Sequence, residues 1–399
     1  MPACSFAPVA RRSRHARRAR RAAALVLLAA PAWSPLRAQD VVPQTNPTVL
    51  SAALGMHYQG YSFASGSDVE KSSLFLVPLS FQMVVAPGMV LDAYSVHVRA
   101  RATSGTTVLK FDGQLDSWAR LRWQYNPSTV VAIGISVPTG EEKQTAEQAA
   151  VASVISNDLL GYREGNWGAG WSTTAGISTF WRPGTWRLSA GASYRLAAGF
   201  EPQVDTTLRY NPGSELRGRI GAVRTFSTGT FETGLTVQTF TIDKLDKKNL
   251  FQAGPRVRFD LSYDWPTTRL SFTNLWRSKG DLSAPIINAL DGTYLRDTLI
   301  TIGWQNLMIV GASGTLRVAD KFNLVPEASY KIRTASDRAG RGSLALVGFM
   351  VPFQYADLEI FPGVKYGVGR LIPSLAGASY KSLSGGELSL IIRHATRRH

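Results

Sequence analysis

Apolar and polar residues alternate along most of the chain with the two-residue period of a half-buried β-strand. In residues 74–85 the odd positions are apolar, and the even positions include Pro78 and Gln82. In residues 90–101 the apolar set moves to even positions. The same alternation recurs at 115–125, 129–138, 186–196 and 256–265. Each segment is predicted to be a pleated strand with one apolar and one polar face.

The length and composition of these strands distinguish a membrane barrel from a soluble sandwich. The segments span about 10 to 14 residues, and aromatic residues often end their apolar faces. Their polar faces carry Arg, Ser and Gly, whereas the water-facing side of a sandwich is richer in Lys and Glu. After residue 38 no apolar run approaches 18 residues, so the sequence predicts no transmembrane helix. We therefore predict an outer-membrane barrel with its apolar faces in lipid.

Short and long connections alternate without a break, as they do in outer-membrane barrels. Short turns are expected at 86–88, 126–128, 182–184, 227–229, 265–267, 319–321 and 354–357. Longer segments lie at 63–71, 102–112, 139–168, 199–213, 242–254, 278–298, 335–341 and 367–385. The pattern predicts an all-β fold, a transmembrane antiparallel up-and-down β-barrel of about 14–16 strands. Both termini fall on the short-turn side.

Residues 1–38 have the pattern of a cleaved signal peptide, and residues 39–399 form the predicted barrel domain. Seven arginines between Arg11 and Arg21 precede the apolar run 22–30, and Ala38 offers a small residue for cleavage. An N-terminal membrane anchor is the alternative, although the apolar run is short for a span. Eight arginines and no acid lie in 1–38, so +8 of the formal +16 remains in the rest of the chain.

Composition excludes several classes of function. The single cysteine, Cys4, rules out a disulfide scaffold and a cysteine zinc site. The basic residues beyond residue 38 form no clustered motif, so no nucleic-acid partner is predicted. His394 and His399 lie in a basic tail without carboxylate partners, and no metal or other cofactor is predicted. Four histidines remain after residue 38, and only His97 shares a predicted face with a serine, Ser95. A barrel enzyme would depend on His97.

Positive charge dominates the predicted inward faces. We assign these cations to the lumen: Arg99, Arg101, Arg120, Arg122, Arg187, Arg195, Arg217, Arg219, Arg256, Arg258, Arg269, Arg317, Lys331, Arg333 and Lys365, with His97 beside them. The inward acids are Asp116, Glu232, Asp260, Asp264, Glu327, Glu359 and Glu387. Fifteen cations against seven acids would concentrate anions in a water-filled lumen. Alternatively, arginine–acid pairs between strands fill and stiffen the barrel.

The connection at about 139–168 is the longest, and its residues 141–160 have helical rather than strand spacing. Ala149, Ala152, Ile155 and Leu159 fall on one side. We predict a short helix, which serves either as a plug at the barrel mouth or as a simple surface cap.

The segment around this connection carries a resemblance. A strand ending in Pro138-Thr-Gly140, a polar loop and the re-entry Asn166-Trp-Gly-Ala-Gly-Trp171 resemble the outer-membrane proteins of the phenol-degradation meta-pathway. These belong to the FadL-like (long-chain fatty-acid transporter) superfamily. The resemblance implies a single barrel that moves apolar or aromatic small molecules across the outer membrane. Only about ten residues, Gln39 to Thr48, lie between the predicted signal peptide and the first predicted strand, so the N-terminal hatch of the fatty-acid transporters is not expected here.

Together these features predict a passive outer-membrane channel for small hydrophobic or aromatic compounds that carry a negative charge. They do not predict an enzyme. The expected partners are the permeant and outer-membrane lipid. A non-conducting structural or adhesion barrel and a barrel enzyme are the alternatives. Monomeric transporters and trimeric porins share this pattern, so both oligomeric states stay open.

Overall fold

The protein is a closed antiparallel β-barrel. The structure, a computed structural model, describes residues 48–67, 69–162, 167–204, 207–287, 294–319, 322–337, 340–372 and 380–397. The predicted signal peptide and His399 lie outside the described residues. Strand β1 (Thr48–Phe63) pairs with both β2 (Lys71–Ala86) and β24 (Lys381–Arg397), which closes the sheet. Sixteen strands form the ring, at the upper end of the predicted range.

Thirteen barrel strands are continuous, and three consist of two segments each. The continuous strands are β1 (Thr48–Phe63), β2 (Lys71–Ala86), β3 (Met89–Ser104), β6 (Thr129–Val137), β7 (Ser172–Trp181), β8 (Trp186–Ala197), β10 (Glu215–Thr225), β11 (Thr230–Phe240), β14 (Arg256–Asp264), β15 (Thr268–Arg277), β20 (Phe322–Ala335), β23 (Leu358–Leu371) and β24 (Lys381–Arg397). The interrupted strands are β4 (Thr107–Gln114) with β5 (Ser117–Asn126), β18 (Gln305–Gly314) with β19 (Leu316–Ala319), and β21 (Gly342–Met350) with β22 (Phe353–Tyr355).

A second sheet of five short strands continues the barrel beyond its long-loop end. It contains β9 (Tyr210–Asn211), β12 (Asp243–Leu245), β13 (Lys248–Gln252), β16 (Gly280–Ile287) and β17 (Tyr294–Ile302). These strands adjoin β10, β11, β14, β15 and β18 in the chain and keep the same order. We call this the extension sheet. Because long loops of outer-membrane barrels lie outside the cell, we take this end as external.

The outer surface is apolar, as predicted. Side chains such as Ile133 and Val347 point away from the lumen and are 62% and 64% exposed. Aromatic side chains are exposed near the short turns, at Trp123, Tyr125, Trp181, Trp265, Phe353 and Tyr355. An exposed apolar belt bordered by aromatic residues is the surface that a bilayer requires. No helix among the described residues is long and apolar enough to cross a membrane.

The longest external connection, residues 138–171, is the third on its side of the barrel, and we call it loop 3. It contains α1 (Ala146–Ile155), which begins at a capping box formed by Thr145 and Gln148. The buried face of α1 packs on the inner side of β3 and β4. The helix predicted within 141–160 is confirmed, and loop 3 folds into the barrel instead of forming a surface cap.

Candidate functional site

The faces of β3 are the reverse of those predicted. Val98 and Ala100 are 0% and 1% exposed and pack with Val151, Ile155 and Trp167 of loop 3. The odd positions of β3 therefore point outward. Apolar residues face inward here because they contact the apolar side of α1, and a polar lumen is not their environment.

This reversal corrects three predicted lumen residues. Arg99 lies opposite Phe75 on the outer surface, with Arg101 one step further towards the external end. His97 Nε2 lies 2.9 Å from Asp112 Oδ1, and Arg99 Nε lies 2.8 Å from Asp112 Oδ2. The side chains of His97 and Arg99 are 44% and 60% exposed. Arg99, Arg101 and His97 thus lie outside the lumen.

The other predicted cations are inward, according to the strand register. Arg120 and Arg122 form a nearly buried cluster near the short turns. Both contact Asp92, at 3.1 and 2.7 Å, and Asp92 also accepts a hydrogen bond from Gln82. Asp92 therefore neutralises about half of the positive charge of the two arginines. Sequence reasoning missed Asp92 because it lies at an even position of β3, on the face that was taken as outward.

A row of arginines on β8, β10 and β14 forms what we call the basic wall: Arg195, Arg217, Arg219, Arg256 and Arg258. Glu215 lies opposite Arg195 and accepts hydrogen bonds from Arg217. Arg258 binds Asp260 through Nε and Nη2, and Arg256 stacks over Phe240 at 4.6 Å. Arg195 has no ion-pair partner in the described part of the chain. Arg187 lies on the same inner face, nearer the short turns.

The opposite side of the lumen is apolar. We call it the apolar wall, and it consists of Leu74, Leu76 and Pro78 from β2 with Tyr94 and Val96 from β3. The apolar wall and three residues of the basic wall, Arg195, Arg217 and Arg219, line one cavity of about 860 Å³. Trp118 and the loop 3 residues Leu160 and Tyr162 line the same cavity. Lys331, Lys365 and Glu387 complete its side near β20–β24. Lys365 pairs with Glu327 at 2.7 Å.

Loop 3 is held at a neck where Gly140 of the Pro138-Thr-Gly140 motif meets Gly168 and Ala169 of the Gly-x-Gly-Trp motif, residues 168–171. The Asp116 carboxylate accepts hydrogen bonds from the Gly140 N–H at 3.0 Å and the Ala169 N–H at 2.7 Å. A Cβ on Gly140 would lie 2.5 Å from the Trp167 carbonyl oxygen, and one on Gly168 would lie 2.9 Å from the Glu142 nitrogen. Both positions therefore require glycine. Burial and the nearby Asp116 carboxylate raise the pKa of Glu142.

Trp167 attaches the body of the loop to the wall. Its ring stacks on Phe111 of β4, with centroids 3.9 Å apart and planes 5° from parallel. Its indole N–H donates to the Gln148 carbonyl of α1 at 3.1 Å, and the side chain is 0% exposed. Trp167, which directly precedes Gly168, thus fixes α1 against β4.

The tip of loop 3, residues 157–160, reaches the far wall. Asp158 pairs with Arg277 at 2.8 Å, and the Asn157 side-chain oxygen accepts from Arg333. Lys331 donates to the Leu159 carbonyl and Gln59 to the Leu160 carbonyl. Leu159 is buried with Tyr61, Leu275, Leu307, Leu344 and Leu371 from five strands. Loop 3 therefore contacts the inner wall from β15 around to β4, and its residues Lys143 and Gln144 also contact Glu201 and Gln203, which follow β8.

We expect Asp116→Ala to release the neck of loop 3. The change removes the acceptor of two charge-assisted hydrogen bonds, which together contribute about 2–4 kcal/mol to holding the loop. Trypsin cleavage at Lys143 in the folded barrel should accelerate at least roughly tenfold. Asp112→Ala, which removes an acid from the outer surface, is the matched control. Equal cleavage rates in the two variants would show that Asp116 does not hold the loop.

The closed ring, the lipid-facing belt and the constricted polar lumen define an outer-membrane β-barrel of the bacterial cell. No family model matches the chain, and no curated protein matches it. Solved structures with a similar fold include OccAB4 of Acinetobacter baumannii, 9% identical with a TM-score of 0.45, covering 90% of this chain and 100% of that one. OpdQ of Pseudomonas aeruginosa is 10% identical with a TM-score of 0.45, covering 87% and 98%. OpdK of Pseudomonas aeruginosa with vanillate is 9% identical with a TM-score of 0.46, covering 87% and 97%. These values do not assign the chain to any of these groups.

Proposed function

We propose that the protein is a diffusive outer-membrane channel for small amphipathic anions, with aromatic carboxylates as the best-fitting class. The observation that carries the proposal is the pair of unlike walls on one cavity, apolar on β2–β3 and basic on β8 and β10. An aromatic ring gains free energy against Leu76, Pro78 and Tyr94 through burial of apolar surface. Its carboxylate would meet Arg195, Arg217 or Arg219 across the lumen.

The electrostatics of the lumen favour such a permeant. Guanidinium groups bind carboxylates in a planar, bidentate geometry. Arg217 already shares its charge with Glu215, and Arg258 with Asp260, so the wall attracts an anion without neutralising it completely. Partial neutralisation also favours conduction, because a site that binds too tightly does not release its ligand.

Loop 3 directs the permeant towards this wall. Its tip and its apolar contacts occupy the β15–β4 side of the external lumen, so a solute entering from outside passes beside β8, β10 and β14. The sequence resemblance to the FadL-like superfamily implies apolar or aromatic permeants. We combine the aromatic part of that implication with the anion preference of the basic wall.

We do not propose catalysis at His97. Its Nε2 contacts Asp112, whereas the Ser95 hydroxyl accepts hydrogen bonds from Gln114 and Ser117. A serine nucleophile needs its base within hydrogen-bond reach, and no hydrogen bond between Ser95 and His97 exists in the described structure.

Liposome swelling tests the channel. We expect liposomes containing the purified barrel to swell faster in benzoate than in a sugar of similar size, and faster than in a neutral aromatic alcohol. A heat-modifiable band on a gel verifies that the barrel is folded. Absence of swelling with every solute, despite that band, would contradict the channel and favour a structural barrel. Faster swelling in the neutral aromatic alcohol than in benzoate would support a role for the apolar wall but would contradict the preference for anions.

A further inference from the structure

The arginines that leave the lumen belong to a basic patch on the outside of the barrel. We call Lys71, Arg99, Arg101 and Lys110 the rim patch. They lie on three neighbouring strands, β2, β3 and β4, with Lys71 opposite Thr103 and Arg101 opposite Lys110. All four are exposed. Asp112, beside them, is engaged by Arg99 and His97.

Arg101 and Lys110 form a like-charge pair on the outer surface. The two residues face each other directly across the β3–β4 ladder, on the same outer face. Like charges in this position destabilise a sheet. Neither side chain has an ion-pair partner within the described ranges of the chain. A bound anion between them would turn the repulsion into two attractive contacts.

The rim patch lies at the outer boundary of the hydrocarbon layer. Met89 of β3 pairs with Trp123 in the aromatic zone near the short turns, and Arg99 follows ten residues later on the same strand. At about 3.3 Å per residue, and with a tilt of roughly 40°, ten residues rise about 25 Å along the membrane normal. That distance matches the height of the apolar belt of such barrels, about 25 Å. Arg101 and Lys110 therefore fall at the level of the lipid headgroups.

The surface below the patch suits acyl chains. Phe75 lies opposite Arg99 and next to Tyr58 of β1, and Leu79, two steps further down β2, is 53% exposed. The same surface thus presents cations at headgroup height and apolar side chains beneath them. A lipid with a phosphate on its headgroup satisfies both, because guanidinium and ammonium groups are strong phosphate donors.

We propose that the rim patch binds a phosphorylated lipid of the outer leaflet, with its phosphate between Arg101 and Lys110 and its chains along Phe75 and Leu79. The site is on the lipid side of the wall and is independent of the proposed channel. It gives the two arginines that sequence analysis placed in the lumen a role outside it.

Native mass spectrometry of the purified full-length barrel in detergent tests the site. The probes are bisphosphorylated lipid A, its dephosphorylated form and phosphatidylglycerol. We expect bisphosphorylated lipid A to bind at least roughly tenfold more tightly than its dephosphorylated form. Arg101→Gln with Lys110→Gln should remove most of this difference, while the control pair Arg182→Gln with Lys244→Gln, exposed residues away from the patch, should retain it.

Four outcomes would overturn the proposal. The first two are equal binding of the two lipid A forms and an unchanged preference in the Arg101 and Lys110 variant. The third is displacement of the lipid by millimolar inorganic phosphate, which would indicate a free-anion site. Tighter binding of phosphatidylglycerol than of lipid A would likewise reject the outer-leaflet ligand. Heat-modifiability of each variant verifies its fold, and none of these results depends on whether the barrel conducts.

Discussion

Replacing residues 143–162 with a Gly-Ser-Gly linker should raise the single-channel conductance roughly threefold. The deleted segment contains α1 and the tip that joins Arg277, Lys331 and Gln59, so its removal opens the external lumen between β15 and β4. The neck tolerates this change because Gly140 and Gly168 are already in contact. Benzoate should lose its advantage over sugars, since solutes would no longer be directed along the basic wall.

Two further variants make the loop 3 prediction specific. Shortening the tip of the β12–β13 hairpin, which belongs to the extension sheet, should leave the conductance unchanged. Arg277→Gln removes only the pair with Asp158 and should give a smaller increase with more frequent switching between levels. If the linker variant folds and conducts like the parent barrel, the narrowest part of the channel is not formed by loop 3.

The barrel could be predicted from the sequence because its signal is repeated in every strand. Each segment has to satisfy lipid on one side and the lumen on the other, so alternation and turn length suffice to place strands such as β7 and β8. The inward positions of Arg195 and Arg217 followed from the same parity. Three strands are interrupted, for example after Gln114 and Gly314. Such interruptions are local and could not be predicted from the alternation of apolar and polar residues.

The prediction was wrong on β3 because alternation defines two faces without saying what each one contacts. An apolar face normally indicates lipid in such a barrel, but Val96, Val98 and Ala100 contact loop 3. That contact joins residues more than forty positions apart in the chain, and no local pattern reports it. The sequence did contain one signal for the correct faces of β3. Strands β2 and β3 are joined by a short turn, and their even positions lie opposite each other. Because Pro78 and Gln82 point inward, the even residues of β3 point inward as well.

The re-entry segment 167–171 has a structural explanation that its sequence context did not show. Gly168 permits the two ends of loop 3 to approach, and Trp167 fixes α1 on Phe111. The segment is therefore a clamp for a loop inside the lumen, and chains with the same spacing need not share a permeant. This is why the resemblance indicates a constricted barrel more firmly than it indicates a substrate.

Neutralising the basic wall should abolish anion selectivity. The triple variant Arg195→Gln, Arg217→Gln and Arg219→Gln removes three cations from one side of the cavity. It also removes the ion-pair partner of Glu215, which is Arg217. In a narrow lumen with low-dielectric walls, the remaining acids then dominate the local potential. We expect the reversal potential in a salt gradient to move from anion-selective to zero or cation-selective, and benzoate uptake to fall roughly tenfold.

The matched control for this prediction is Arg99→Gln with Arg101→Gln. These two arginines lie on the outer surface of β3, so their loss also removes positive charge from the barrel but not from the lumen. Their variant should keep the parental reversal potential and benzoate uptake. A shift of selectivity as large as that of the basic-wall variant would mean that surface charge, and not the basic wall, selects the anion. An unchanged reversal potential in the basic-wall variant would contradict the proposed route, which runs past these side chains.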